Sequence, residues 1–258
     1  MLTLADLIEA EQGVRLERAD IGISEAVVDS RQAIAASLFV AIQAGHEYVA
    51  SAFTNGAHLA LVQQDIDPSI PVLDLTTPIN STTRIPETPF AIRVNDTTKT
   101  LQRFSAFWRN KFDLRVIGIT GSVGKSTTKE LVAEVLSRHF RTLKNIGNYN
   151  NEVGLPLTML RLGAGYQCAV LEMGFYQPGE IQLLCDLAKP QVGILTNIGT
   201  VHAERAGSQA EIARGKSELV QALPAGPEGT AILNLDDPWI VPMAKQTHAN
   251  VFFYGLDP

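Results

Sequence analysis

The chain has 258 residues, 45% of them hydrophobic, and its 21 Lys and Arg against 27 Asp and Glu leave a formal net charge of -6. That length holds one large domain or two ordinary ones with a substantial core, and the acidic balance argues against general nucleic-acid binding. There is no signal peptide and no apolar run of membrane-spanning length, so neither export by that route nor membrane insertion is expected, and the expected compartment is the cytoplasm.

Roughly the first 75 residues read as a small α/β domain. It holds a helix at Thr3–Glu9, a strand at Ser37–Ile42, a helix at Tyr48–Asn55 and a strand at Ala57–Gln63. Pro68, Pro71, Pro78, Pro86 and Pro89 then punctuate a stretch rich in Thr and Ser, which is turn and linker chemistry with short strands at Val72–Leu75 and Ala91–Val94. Asp96 or Thr97 caps a helix running to about Asn110 that bridges into the second domain. Its Arg103 and Arg109, followed by Lys111 and Arg115, interleave with Phe104, Phe107, Trp108 and Phe112, a pattern of an amphipathic helix with a solvated face. The division is residues 1–93 and 94–258.

From Leu114 onward strands and helices alternate. Strands are expected at Arg115–Thr120, Cys168–Glu172, Val192–Thr196, Ala231–Leu235 and Val251–Tyr254. Helices are expected at Ser126–Arg138, Gly179–Ala188, Ser208–Leu223 and Pro238–Thr247. Continuous apolar strands separated by helices predict a mainly parallel nucleotide-binding sheet covered on both faces, with ligands beyond the carboxyl ends of its strands. The fold class is α/β. Cys168, in an apolar strand, and Cys185, in a helix, read as inert core thiols of a reducing compartment.

The first of these strands runs into Gly118-Ile-Thr-Gly-Ser-Val-Gly-Lys-Ser-Thr-Thr128, and a helix follows. Strand, glycine-rich turn and helix in that order form a phosphate cradle. Backbone N–H groups of Gly121, Ser122, Val123, Gly124 and Thr127 close around phosphate oxygens, Lys125 neutralises them, and the Ser126 hydroxyl is placed to ligate Mg²⁺. Ile119 stands where a standard Walker A loop has its early glycine. A bare Gly-Lys-Ser also occurs by chance in surface loops, but the flanking strand and helix favour nucleotide binding.

Other candidates lie at neighbouring strand ends. Glu172 ends a strand and can bind Mg²⁺ or orient its water shell; the alternative is a helix-capping or solvent-facing carboxylate. In Asn197-Ile-Gly-Thr-Val-His202, His202 offers metal ligation or proton handling, against a hydrogen-bonded structural histidine, and Asn197 can direct a loop or bind a ligand. Lys216, by itself, reads as one member of an exposed charged face with Glu211, Arg214 and Glu218. The loop Gly147-Asn-Tyr-Asn-Asn-Glu-Val-Gly-Leu-Pro156 either binds ligand through side-chain amides or is a structural turn. Asn234-Leu-Asp-Asp-Pro238 closes a strand and reaches toward a base or ribose, unless Asp236 or Asp237 caps the helix that follows.

Five ordered blocks resemble the Mur ligases of bacterial cell-wall synthesis: Thr120 to Glu130, Gly147 to Pro156, Leu171 to Gly174 with Gln177 to Ile181, Thr196 to His202, and Leu233 to Pro238. They cover the second domain almost throughout. In the first domain, Asp29-Ser-Arg31, the strand from Ser37 and Gly45-His46 resemble the region holding the UDP-sugar end of the substrate. The resemblance departs there in two places: only Gln43 and Ala44 separate Ile42 from Gly45, and Ala35-Ala-Ser37 replaces the family's Pro-Gly-Asp. More residues therefore carry the ligase chemistry than carry the identity of the sugar-nucleotide end.

The resemblance implies that ATP phosphorylates a substrate carboxylate and that an amine attacks the acyl phosphate, giving an amide, ADP and phosphate. The implied partners are a UDP-N-acetylmuramoyl-tripeptide and D-alanyl-D-alanine, the cofactors ATP and Mg²⁺, and the state a monomer. Lys125 would stabilise the moving phosphoryl group, Ser126 and Glu172 would hold Mg²⁺, and His202 would serve a second metal position. Lys216 matches a lysine that becomes a metal-ligating carbamate. Asn148, Asn151 and Asn234 would lie around the nucleotide, and Asp29, Ser30, Arg31 and His46 around the UDP-sugar. Mur ligases continue well past this length, so the second sheet is expected to be incomplete at its C-terminal end, and the chain is expected to be a fragment that binds nucleotide weakly and does not ligate in isolation. The rival readings are a non-catalytic nucleotide-binding module descended from a ligase, and a related ligase with another acceptor.

Overall fold

A computed structural model describes residues 1–199 and 208–256. The chain forms two compact units, Met1–Lys111 with Met159–Arg161 and Phe112–Thr158 with Leu162–Pro258.

The first unit opens with β1 (Leu2–Thr3), which pairs antiparallel with β2 (Gly22–Ile23). Between them lies α1 (Leu4–Gln12), started by a capping box in which Thr3 and Asp6 satisfy each other's backbone N–H groups. A parallel sheet follows, in spatial order β3 (Ala26–Val27), β4 (Leu38–Val40), β5 (Leu59–Val62), β7 (Phe90–Arg93) and β6 (Val72–Asp74). Helix α2 (Val49–Thr54) buries Val49 and Ala52 against a core of Phe39, Ala41, Ala60 and Val62.

Helix α3 (Thr97–Arg109) is capped by Asp96, whose side chain accepts from Lys99 N. It packs against α1, where its Arg103 pairs with Glu11 at 2.7 Å and Lys111, just past its end, pairs with Asp6 at 2.6 Å. The apolar stripe Leu101, Phe104, Trp108 buries inside the first unit. The helix that the sequence assigns to the second domain thus packs with the first, because its partner, α1, comes from the chain's start.

The second unit is a six-stranded, wholly parallel sheet in the order β13 (Asn250–Tyr254), β12 (Thr230–Asn234), β11 (Val192–Leu195), β8 (Arg115–Thr120), β10 (Cys168–Glu172), β9 (Thr142–Lys144). Its helices are α4 (Lys125–Ser137), α5 (Gly154–Met159), α6 (Glu180–Ala188) and α7 (Gln209–Gln221). Every residue of β8 after Arg115 is buried, as a strand covered on both faces requires. The chain passes from β8 to one side of it, through β9 and β10, and then to the other, through β11. That reversal opens a crevice at the carboxyl end of β8.

Several elements differ from expectation. The helix expected over Pro238–Thr247 is a 3-10 segment at Val241–Gln246, because Pro238 and Pro242 supply no N–H and a proline ring clashes with the preceding helical turn. The three-residue β9 was too short to show a period. Cys168 and Cys185 are both free and buried, and burial raises both thiol pKa values, which keeps them protonated and inert. No helix among the described residues is long and apolar enough to cross a membrane.

Candidate functional site

The phosphate loop occupies the crevice at the end of β8. Gly121 has φ +151°, and a Cβ there would lie 1.8 Å from Thr196 Oγ1, so only glycine fits against the end of β11. Gly124 caps α4 in the left-handed region at φ +85°, turning the chain so that Lys125 and Ser126 open the helix. The loop is clamped from β11's side. Thr196 Oγ1 donates to Val123 O at 2.7 Å, and Asn197 both accepts from Val123 N and donates to Val123 O at 2.9 Å. Gly199 N donates to Ser122 Oγ at 2.9 Å. Asn197 therefore directs the loop, one of its two expected roles.

Ser126 and Glu172 meet at the loop's mouth. Ser126 Oγ donates to Glu172 Oε2 at 2.7 Å, and Asn150 Nδ2 donates to Glu172 Oε1 at 2.7 Å. Glu172 is 3% exposed, so the solvent-facing alternative falls. Two neighbouring ligands of an octahedral Mg²⁺ at 2.0–2.1 Å stand about 2.9 Å apart, close to the separation of these two oxygens. A hydroxyl and a carboxylate are also the hard oxygen donors that Mg²⁺ prefers. The pair fits the ion.

Two lysines converge on one carbonyl. Lys125 Nζ donates to Gly121 O at 2.8 Å and to Ser122 O at 3.3 Å, and Lys216 Nζ donates to Gly121 O at 3.0 Å. Burial lowers the pKa of Lys125, and the Glu172 carboxylate partly offsets it. Lys216 is buried on α7 beside the Phe175 ring, 4.9 Å from its centroid, and burial with the nearby Lys125 charge pushes its pKa down to about 7. The exposed-face reading of Lys216 is thereby corrected. Arg214 and Glu211 pair with each other on the solvent side, while Lys216, two residues beyond Arg214 and so about 200° round the helix, faces inward. A buried amine that is neutral near pH 7 is the form that takes up CO₂ as a carbamate.

The asparagines take different places. Asn148 is exposed. Asn151 Oδ1 accepts from Val153 N and Gly154 N at the start of α5, a capping role. Asn234 donates to Thr196 O and accepts from Asp236 N, tying β12 to β11. Asp237 accepts from Ile198 N at 2.7 Å and from Trp239 N at 2.9 Å, so it caps the turn after β12 and also holds the segment after β11. Asn150, which sequence reading passed over, reaches the Glu172 carboxylate, and the only signal for it was the density of amides in its loop. His202 lies outside the described residues.

In the first unit, Asp29, Ser30 and Arg31 line a cleft of about 680 Å³ with Phe39, Gln43 and Tyr48. Asp29 caps the turn through Arg31 N and pairs with the Arg31 guanidinium at 2.6 Å, which holds its carboxyl at about 2. His46 does not line this cleft. Gln63 N–H donates to its Nε2 at 3.0 Å, so the proton sits on Nδ1 and points to Gln43 O at 2.9 Å. Both ring nitrogens are engaged in holding the turn that shapes the cleft.

Residues 119–258 match the family described as the Mur ligase middle domain. The chain belongs to the Mur ligase family. A relative from Synechocystis, a UDP-N-acetylmuramoyl-tripeptide--D-alanyl-D-alanine ligase, is 37% identical over 243 residues, covering 92% of this chain and 50% of its own length. The structure of MurF from Acinetobacter baumannii superposes with a TM-score of 0.77 at 29% identity, covering 97% of this chain and 53% of that one. MurF from Thermotoga maritima in complex with ADP gives a TM-score of 0.72 at 29% identity, covering 91% and 51%. The chain spans about half the length of the relatives it matches, and the similarity runs across both units of this Mur ligase chain.

Proposed function

We propose that the protein containing this chain is an ATP-dependent carboxylate–amine ligase joining D-alanyl-D-alanine to a UDP-N-acetylmuramoyl-tripeptide. The observation that carries this reading is the Ser126–Glu172 pair at the mouth of a glycine-rich loop on the central strand of a parallel sheet. A hydroxyl and a carboxylate held there suit a nucleotide whose γ-phosphoryl group is transferred.

Loop N–H groups other than those of Ser122 and Val123, which donate to Asn197, would bind the ATP phosphates together with Lys125, and Lys125 would stabilise negative charge on the moving phosphoryl group. Ser126 and Glu172 would hold Mg²⁺, which would supply charge neutralisation at the phosphates. An oxygen of the acceptor carboxylate attacks the γ-phosphorus and ADP leaves. The dipeptide amine then attacks the acyl carbon, loses a proton, and expels phosphate. Carboxylate is a poor acyl donor until phosphate makes one of its oxygens a leaving group, which is what the ATP is for. The cleft lined by Asp29, Ser30 and Arg31 would take the UDP-sugar end, with His46 holding its wall. The Lys216 amine would add CO₂ and release a proton, giving an anionic oxygen ligand for a second ion with His202. Asn148, Asn151 and Asn234 would act at the nucleotide's margin, the latter two through the loops they cap and tie. The reaction belongs in the cytoplasm, carried out by a monomer.

In the full-length protein, ADP release should require both the UDP-muramoyl tripeptide and D-alanyl-D-alanine, and Lys125→Ala should lower its rate by about 100-fold or more. ADP release indifferent to the dipeptide would overturn the reading. Retained biological function in Lys125→Ala without ATP hydrolysis would favour a non-catalytic module instead.

A further inference from the structure

Lys129 is among the most deeply buried side chains of the molecule, at 2% exposure, although it is a lysine. Taking an ammonium out of water is unfavourable unless its N–H groups find partners, and a methionine would fill the same space without that cost. Its Nζ donates to Asn145 O at 2.9 Å and pairs with Glu130 Oε1 at 3.2 Å. Glu130 in turn pairs with Lys144 at the end of β9. The buried ammonium therefore ties α4 to the point where β9 stops.

Asn145 continues what β9 leaves off. The β9–β10 ladder ends with Lys144 opposite Val170. Beyond it, Asn145 Oδ1 accepts from Glu172 N at 3.0 Å, and Asn145 Nδ2 donates to Glu172 O at 3.0 Å and to Tyr149 O at 2.9 Å. One side-chain amide thus grips both main-chain groups of Glu172 and closes the loop that carries Asn150. Asn150 then holds the carboxylate from one side while Ser126 meets it from the other.

We propose that Lys129 and Asn145 are positioning residues for the Ser126–Glu172 pair: Lys129 fixes Asn145, and Asn145 fixes both the backbone of Glu172 and the loop whose Asn150 aims its carboxylate. The proposal rests on the reading that this pair holds Mg²⁺. Neither residue touches the ion or the nucleotide. Their effect reaches the reaction through the direction in which Glu172 points, as partners behind a ligand orient it and set its affinity.

The test is calorimetric titration of the full-length protein with a non-hydrolysable ATP analogue, in excess Mg²⁺ and in EDTA. The wild type should bind more tightly with Mg²⁺, and Glu172→Ala should lose that gain. Lys129→Met and Asn145→Ala should each reduce the gain by about tenfold while leaving affinity in EDTA within about twofold, since the phosphate loop is untouched. Asn145→Ala keeps the main-chain carbonyl that Lys129 needs, so it decides the matter if Lys129→Met does not fold. A full Mg²⁺ gain in both variants, beside its loss in Glu172→Ala, would overturn the positioning roles alone. Equal weakening with and without Mg²⁺ would also overturn them, because general loop damage acts on both. A Glu172→Ala protein that keeps the gain would instead remove the magnesium reading beneath them.

Discussion

At the scale of single residues, the site depends on close approaches that leave no room for substitution. Gly121→Ala would drive a Cβ into Thr196 Oγ1 at a backbone angle that side chains rarely adopt. Urea unfolding should show a loss of roughly 1–3 kcal/mol, and nucleotide titration should show weakened binding. Lys216 gives a prediction with a sign. Its folded pKa of about 7 lies below the ordinary lysine value of 10.5, so between these values the unfolded chain binds more protons than the folded one. Stability from this group therefore rises with pH above 7, and the cost of burying its charge is present in full below 7. In CO₂-depleted buffer, Lys216→Met should be more stable than wild type at pH 6.5, and the gap should shrink as pH rises toward 9. Glu172 was legible from sequence because it ends an apolar strand beside a phosphate loop. Asn145 and Asn150 were not, since their partner lies more than 20 residues away and an amide carries no mark of which carbonyl it will meet.

At the scale of elements, apolar period and caps told where helices run but not what they pack on. Helix α3 was readable from Asp96 and its stripe of Leu101, Phe104 and Trp108. Its place in the first unit was not, because α1 is some 90 residues earlier in the chain and the stripe would suit any apolar groove. Phe104, at 1% exposure, makes this packing measurable. Phe104→Ala should destabilise the first unit by about 3–5 kcal/mol in chemical unfolding, and Asp96→Ala by about 1 kcal/mol through loss of the cap. The segment after β12 shows the opposite failure. The sequence suggests a helix there, but Pro238 and Pro242 remove donors that a full helical turn needs, and only the tighter 3-10 segment forms.

At the scale of the whole molecule, two parallel sheets give each unit one open end where strand termini gather. In the second unit, β8 is central and its chain connections part on either side, which puts the phosphate loop where ligands collect in such sheets. Continuous apolar strands made that architecture legible, whereas the short strands and turns of the first unit left its cleft to be found in three dimensions. The proposed activity turns on this loop activating a carboxylate by phosphorylating it. The most direct measurement uses UDP-muramoyl tripeptide with both oxygens of its reacting carboxylate labelled with ¹⁸O, turned over by the full-length protein with ATP and D-alanyl-D-alanine. Passage through an acyl phosphate predicts that each released phosphate carries one ¹⁸O atom from the acceptor; unlabelled phosphate, with amide formed at the normal rate, would contradict it.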